Sequence, residues 1–338
     1  MRARGLSLRP ASGRDVLRSL AAWLVERRAR WSRRQVGLAL VYHKVGDPPG
    51  DPRRELVPAL GTALFAAQLA HLRRRYRVVP ASELPDAVVA RRRGRRFPIA
   101  ITFDDDLASH VTSASPALQA AGLPATFFLC GASLEERCIF WWEALQVVID
   151  ERLAAPAELP PLAPGDVEAA LAREPGALAR LGKAIEALPP AEQDPLTAEL
   201  VRRAGPRFDE PPFVGEHVRR LATDGFDVGF HTRRHRLLTG LAGEELDDAL
   251  RDGRTKLEQI AGRRLGALSY PHGKADERVA AAVQGSGYDV AFTGRREPVK
   301  PRAQRYLLGR VEPRGDTPGR FARELARELA QRPRRAAR

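Results

Sequence analysis

Three adjacent carboxylates, Asp104, Asp105 and Asp106, close an apolar run in the segment AITFDDDLASH (100–110), and a later segment, GFHTRRH (229–235), sets His231 and His235 four positions apart. Two imidazoles and one carboxylate are the donor set of a catalytic zinc site with a position left open for water. A second carboxylate beside that water can act as general base, because the metal brings the water's pKa to about 7. The i, i+4 spacing predicts that both imidazoles lie on one side of a helical turn. In a chain with seven histidines the pair is a weak signal alone, and its position after the apolar stretch FDVGF gives it weight. One Asp could cap a helix, but a cap does not explain three in succession.

Positioning these groups requires strand ends. VGLALVYHKV (36–45), RRFPIAITFDDD (95–106), PATFFLCG (124–131), FDVGFHT (226–232), LGALSYPHG (265–273) and YDVAFTG (288–294) are apolar runs of the kind found in strands buried on both faces, and RVVPASEL (77–84) is extended in pattern. Between them lie segments of helical spacing: 62–76, a helix through HVTSASPALQAAG closed by Gly122, 213–225, EELDDALRDGRTKLEQIAG (244–262) and 275–287. Alternating buried strands and helices predict a parallel α/β sheet, and about seven strand and helix pairs favour a barrel over a doubly wound sheet. Carboxylates and histidines then fall at the carboxyl ends of the strands, where barrel sites assemble.

Residues 138–212 break the rhythm and predict a helical insertion, a lid or an oligomer contact. Of the formal charge of +14, residues 1–35 carry ten Arg against Asp15 and Glu26, and residues 320–338 carry seven Arg against Glu324 and Glu328, so the stretch between is close to neutral. Two basic ends on a neutral body suit peripheral attachment to an anionic membrane better than specific nucleic-acid reading. Val16, Leu17, Leu20, Trp23 and Leu24 recur at helical spacing, which predicts an amphipathic helix over 14–30 that docks on the protein's own body. The reading divides the chain into a basic N-terminal segment (1–35), a barrel (36–315) and a basic C-terminal helix or tail (316–338). No secretory signal or apolar membrane span is read, and Cys130 and Cys138 match no metal or disulfide pattern, with Cys130 a small buried hydrophobe. The expected location is the cytoplasm, with peripheral attachment to a membrane through the basic ends.

TFDDD (102–106), PATFFLCG (124–131), HTRRH (231–235) and SYPHG (269–273), in this order and with YHKV (42–45) before them, resemble the motifs of the polysaccharide deacetylase family, the NodB-homology domain of carbohydrate esterase family 4. The resemblance covers roughly residues 36–315. It implies a distorted (β/α)7 barrel, here with a helical insertion, and metal-dependent removal of an acyl group, usually N-acetyl, from a sugar. It assigns Asp104 as general base and Asp105, His231 and His235 as ligands of Zn2+ or another divalent ion, with Thr232 at a small hydroxyl position. The backbone N–H of His272 would help hold the oxyanion. Tyr270, Pro271, His43 and Trp142 are the expected substrate contacts, Phe140 and Trp141 joining Trp142 as stacking surfaces.

Four departures accompany the resemblance. Asp106 stands where the family has Gly, in a turn that Asp tolerates. Ser269 stands where an Arg would partner the base carboxylate. The family's late Asp motif has no counterpart that can be placed. No His follows His272: LLGRVEP (307–313) fills the region of the late LxH motif, and Arg310 cannot donate a proton at ordinary pH. His272 is therefore the first candidate for general acid, with His110 or protonated Asp104 behind it. The expected function is zinc-dependent deacetylation of an N-acetylated sugar or glycan intermediate. A deformylase, an O-deacetylase and a catalytically degraded carbohydrate-binding barrel are the alternatives.

Overall fold

The computed structural model describes residues 13–134, 139–208 and 211–331. Seven strands form one parallel sheet: β1 (Leu38–Tyr42), β2 (Arg77–Val78), β3 (Pro98–Asp104), β4 (Thr126–Leu129), β5 (Asp227–Phe230), β6 (Ala267–Ser269) and β7 (Val290–Phe292). Their order is β1-β3-β4-β5-β6-β7, with β2 against the start of β3. LALVY, PIAITFD and TFFL are buried at every position, as strands covered on both faces must be.

The sheet curls until its ends meet. An extended segment at 308–311 bridges β7 through Phe292 and Leu308 and bridges β1 through Leu40 and Val311, both in parallel sense. Val311 N–H donates to the Ala39 carbonyl at 2.8 Å, and Val41 N–H donates to the Val311 carbonyl at 3.1 Å. This stave completes the distorted barrel and carries Arg310 across its interior.

Aromatic packing fixes the strand that matters most for the site. The Phe103 ring stacks on Phe127 at 4.7 Å and meets Tyr42 at 5.5 Å, all three buried in the main core. Each such side chain contributes on the order of 1.5–3 kcal/mol by leaving water. The register Asp104↔Phe128, Leu129↔Phe230 and Phe230↔Leu268 then sets Asp104, His231 and Ser269 at the carboxyl ends of β3, β5 and β6.

Helices flank the sheet where the periodicity places them, among them Thr62–Arg75, Ser115–Ala121 with its left-handed Gly122 cap, and Glu277–Gly285. The segment expected as one helix over 244–262 is two, Gly243–Arg251 and Arg254–Ala261. Asp252 is extended and Gly253 adopts φ 83°, a left-handed turn that no continuous helix accommodates.

The insertion folds as four α-helices, Trp141–Asp150, Pro164–Leu171, Ala177–Ala187 and Pro190–Ala204, around its own apolar core of Trp141, Leu145, Leu181, Leu196 and Leu200. Cys130 is buried at the edge of that core, and Cys138 lies outside the described residues.

An N-terminal helix, Gly13–Arg30, packs along a C-terminal helix, Pro318–Ala330. The expectation that its apolar stripe faces the body is corrected. The buried face is Asp15, Ala22 and Glu26, while Val16, Leu17, Leu20 and Leu24 are exposed. Polar fixings replace apolar docking: Asp15 accepts from the Thr317 hydroxyl and from Gly319 N–H, and Glu26 accepts from the Tyr76 hydroxyl. Among the described residues no helix is long and apolar enough to cross a membrane.

Candidate metal centre

Asp105, His231 and His235 converge, one donor atom from each lying within 4.8 Å of the others. The Nε2 atoms of His231 and His235 each stand 3.5 Å from Asp105 Oδ1. His231 Nδ1–H donates to the Ser269 carbonyl at 2.8 Å, which leaves its Nε2 lone pair facing Asp105. Burial lowers the His231 pKa to about 4, and burial with the neighbouring imidazoles His231, His272 and His43 holds His235 well below the usual range, so both rings are neutral at pH 7.

Asp105 shows the opposite strain. Burial, then the charges of Asp104 and Asp106, push its pKa well above the ordinary carboxylate value, and Oδ1 is buried with no hydrogen-bond donor. A donorless carboxylate oxygen opposite two neutral imidazole nitrogens is a set that fits a divalent cation. The positive charge would offset the repulsion within the Asp run.

The two histidines meet by a different route from the one the spacing suggests. Residues 231–235 form a tight turn and not a helix, with Thr232 at φ 59° and His235 at φ 47°. Asp105 (φ 73°) and His272 (φ 55°) are left-handed as well. Each such non-glycine residue costs on the order of 1–3 kcal/mol, which concentrates backbone strain at this cluster.

Asp104 stands beside the cluster, its Oδ2 3.9 Å from His231 Nε2. Arg310 grips it with both arms: Nη1 to Oδ1 and Nη2 to Oδ2, each 2.7 Å, in a buried setting. Ser269 Oγ donates to Oδ2 at 3.0 Å. Burial alone would raise the Asp104 pKa, but Arg310, and after it His231, hold the group well below the usual carboxylate range. The carboxylate expected as base therefore keeps an arginine partner. Ser269 does not leave it bare, because the closing stave supplies the guanidinium and Ser269 adds a hydrogen bond of its own.

The third carboxylate is not a turn filler. The left-handed residue is Asp105, and Asp106 is a buried brace: Oδ1 accepts from Cys130 N–H (2.8 Å), and Oδ2 from Gly131 N–H (3.0 Å) and Ser133 Oγ (2.5 Å). It ties the end of β3 to the loop after β4. His110 is likewise structural, and it lies outside the lining of the cleft over the cluster, which corrects its expected role as a proton donor. Its buried Nε2–H reaches the Asp104 and Asp105 carbonyls, both at 3.0 Å, and burial lowers its pKa to about 4.

A cleft of about 430 Å3 opens over the cluster, lined in part by His43, Trp142, Glu186, His272 and Arg310. Trp142 stacks on Phe140 at 4.3 Å and stands edge-on to His235 at 4.9 Å, so the insertion forms a wall of the site. Trp141 joins the lining, its indole Nε1 and that of Trp142 buried without partners. His272 packs on His235 at 4.7 Å and places Nδ1 3.4 Å from Glu186 Oε1, a residue of the insertion helix Ala177–Ala187. That contact lowers the Glu186 pKa.

The expectation that Tyr270 and Pro271 touch substrate is corrected. Tyr270 is fully buried in the barrel core with its hydroxyl donating to the Tyr306 carbonyl, and Pro271 is buried outside the cleft lining. His272 reaches the cleft because Gly273, at φ 64°, brings the turn against Gly294, where a Cβ would lie 2.5 Å from the Gly294 backbone.

The sequence reading weighed Arg310 only as a proton donor and missed it as the partner of Asp104, and it passed over Glu186. Arg310 had a signal, a lone charge inside the apolar run YLLGRV (306–311); Glu186 had none.

The polysaccharide deacetylase family model matches residues 91–291, and the chain belongs to that family. A search of curated proteins found no match. Among solved structures, the chain is similar to a deacetylase of Streptococcus pyogenes, PplD, at 13% identity and a TM-score of 0.57, covering 88% of this chain and 99% of that one. It is similar to IcaB of Ammonifex degensii at 18% identity and 0.55, with coverages of 88% and 99%. A polysaccharide deacetylase of Bacillus cereus matches at 18% and 0.55, with 86% and 68% covered. At these identities the likeness shows the fold.

Proposed function

We propose that this protein is a metal-dependent hydrolase that removes the N-acetyl group from a sugar residue. The observation that carries the reading is the Asp105–His231–His235 convergence beside a second carboxylate, Asp104, that Arg310 keeps ionised. The Streptococcus pyogenes structure contains acetate, the product such a reaction releases.

Asp105, His231 and His235 would hold the divalent ion, with zinc the first candidate. When bound, the ion supplies Lewis acidity that polarises the acyl carbonyl and acidifies a water. Asp104 accepts the proton of that water, its two oxygens aligned by Arg310 and Ser269. His272, with Nδ1 turned to Glu186, is the proposed donor to the leaving amine, and its backbone N–H the proposed oxyanion contact. Trp142 and His43 give the sugar an aromatic wall and a polar one.

The rival reading as a degraded binding barrel rested on a missing arginine and a missing late histidine. Arg310 removes the first of these grounds. The test is acetate and formate release by zinc-loaded protein from N-acetyl, N-formyl and O-acetyl hexosamine oligomers. Acetate from the N-acetyl series is the expected result. No release from any of them, with an active control enzyme alongside, overturns the reading.

A further inference from the structure

A second cleft, of about 510 Å3, lies between the N-terminal helix Gly13–Arg30 and the C-terminal helix Pro318–Ala330. Six arginines line it, Arg18, Arg296, Arg314, Arg320, Arg323 and Arg327, against the carboxylates Glu324 and Glu328. Arg296 pairs with both glutamates, at 2.5 and 3.0 Å, and Arg320 pairs with Asp316 at 2.8 Å. Among the described residues, the guanidinium groups of Arg18, Arg314, Arg323 and Arg327 have no carboxylate partner. Unpaired guanidinium groups converging on one cavity repel each other, and the ligand that relieves this best is a phosphate, which matches their forked donors.

The cleft adjoins the metal-site cleft, Arg296 and Arg314 lining both. The helix that contributes Arg18 also exposes Val16, Leu17, Leu20, Leu24 and Val25 at 42–65%. A helix with exposed apolar residues thus borders a cationic cleft, and that cleft adjoins the metal-site cleft. We propose that the arginine cleft holds the phosphate or diphosphate of a lipid-linked sugar, while the N-acylated sugar occupies the metal site and the N-terminal helix rests on the bilayer that carries the lipid. The sugar half of this assignment rests on the deacetylase reading; the phosphate half does not.

The probes are inorganic pyrophosphate, vesicles of phosphatidylcholine with phosphatidylglycerol, and a matched pair of N-acetylhexosamine substrates, one neutral and one carrying a polyprenyl diphosphate. The variant is R323A/R327A, two exposed positions one turn apart and outside the metal site. Wild-type protein should bind pyrophosphate at low salt, and the variant should bind it at least about tenfold more weakly. Wild-type kcat/KM should favour the diphosphate substrate by about tenfold or more. The variant should lose that preference while keeping its turnover of the neutral sugar.

Absence of pyrophosphate binding, or a preference retained by the variant, overturns the proposal. Vesicle binding that the variant loses, with no preference between the two sugars, gives the cleft to bilayer headgroups and overturns the assignment to substrate. If neither sugar releases acetate, the deacetylase reading fails, and pyrophosphate binding still decides the cleft.

Discussion

Arg310 and Asp104 are joined by two parallel hydrogen bonds of 2.7 Å, with both side chains buried. The arginine comes from the stave that closes the barrel and the aspartate from β3, so closure of the fold and alignment of the proposed base are one event. Both carboxylate oxygens are engaged, which leaves the group little freedom to turn.

Replacing Arg310 should therefore harm both activity and stability. Arg310→Ala leaves a buried carboxylate uncompensated, a loss of roughly 3–5 kcal/mol. Arg310→Lys restores the charge without the fork and should still lose on the order of 10²-fold in kcat, the scale of one misplaced catalytic contact. Denaturant unfolding and steady-state kinetics on the two variants check this. A lysine variant with wild-type kcat would show that charge alone suffices.

The donor set predicts one divalent ion per chain. Asp105→Ala, His231→Ala and His235→Ala should each abolish stoichiometric metal binding, while Asp104→Asn should retain it. Chelator treatment should remove activity, and zinc should restore it. Elemental analysis of dialysed protein reads the stoichiometry directly.

Asp106 is predicted to matter for folding and not for chemistry. Its carboxylate accepts two backbone N–H groups and the Ser133 hydroxyl. Asp106→Ala leaves these buried donors unsatisfied, at about 1–3 kcal/mol for each one that water cannot reach. Thermal unfolding should fall accordingly, while metal stoichiometry in the folded fraction stays at one.

The contact between Glu186 and His272 predicts a pH-dependent docking of the insertion. The Glu186 pKa is lowered from its ordinary 4.5, chiefly by the hydrogen bond with His272. A depressed carboxylate pKa contributes stability that is present above the unfolded value and lost as pH falls through the folded one. The stability advantage of wild type over Glu186→Gln should hold steady from neutral pH down to about 5 and shrink below 4.5. An advantage that grows on acidification would contradict the contact.

The sequence showed the strands, because buried parallel strands write continuous apolar runs, and it showed the chemistry at their ends in Asp104, Asp105, His231 and His235. It misled where backbone conformation decides. The His pair reads as helical by spacing and is a left-handed turn, and the glycine-like φ sits at Asp105 and not at Asp106. The pairing of Arg310 with Asp104 was hidden because the partner of a carboxylate is set by strand order and not by proximity in the chain. Glu186 was hidden because a contact made by the insertion leaves no local pattern. The outward face of the N-terminal helix went unread for a related reason: apolar spacing predicts a helix and a face, but not the direction in which the face points.

The central claim is that Asp104 acts as base beside a metal held by Asp105, His231 and His235. Acetate release by zinc-loaded wild type and Asp104→Asn from N-acetylated hexosamine oligomers, with bound zinc measured on the same samples, tests it most directly. The expected result is equal zinc in both and a kcat reduced by about 10²-fold or more in the variant. Equal turnover by the two proteins at equal zinc would contradict it.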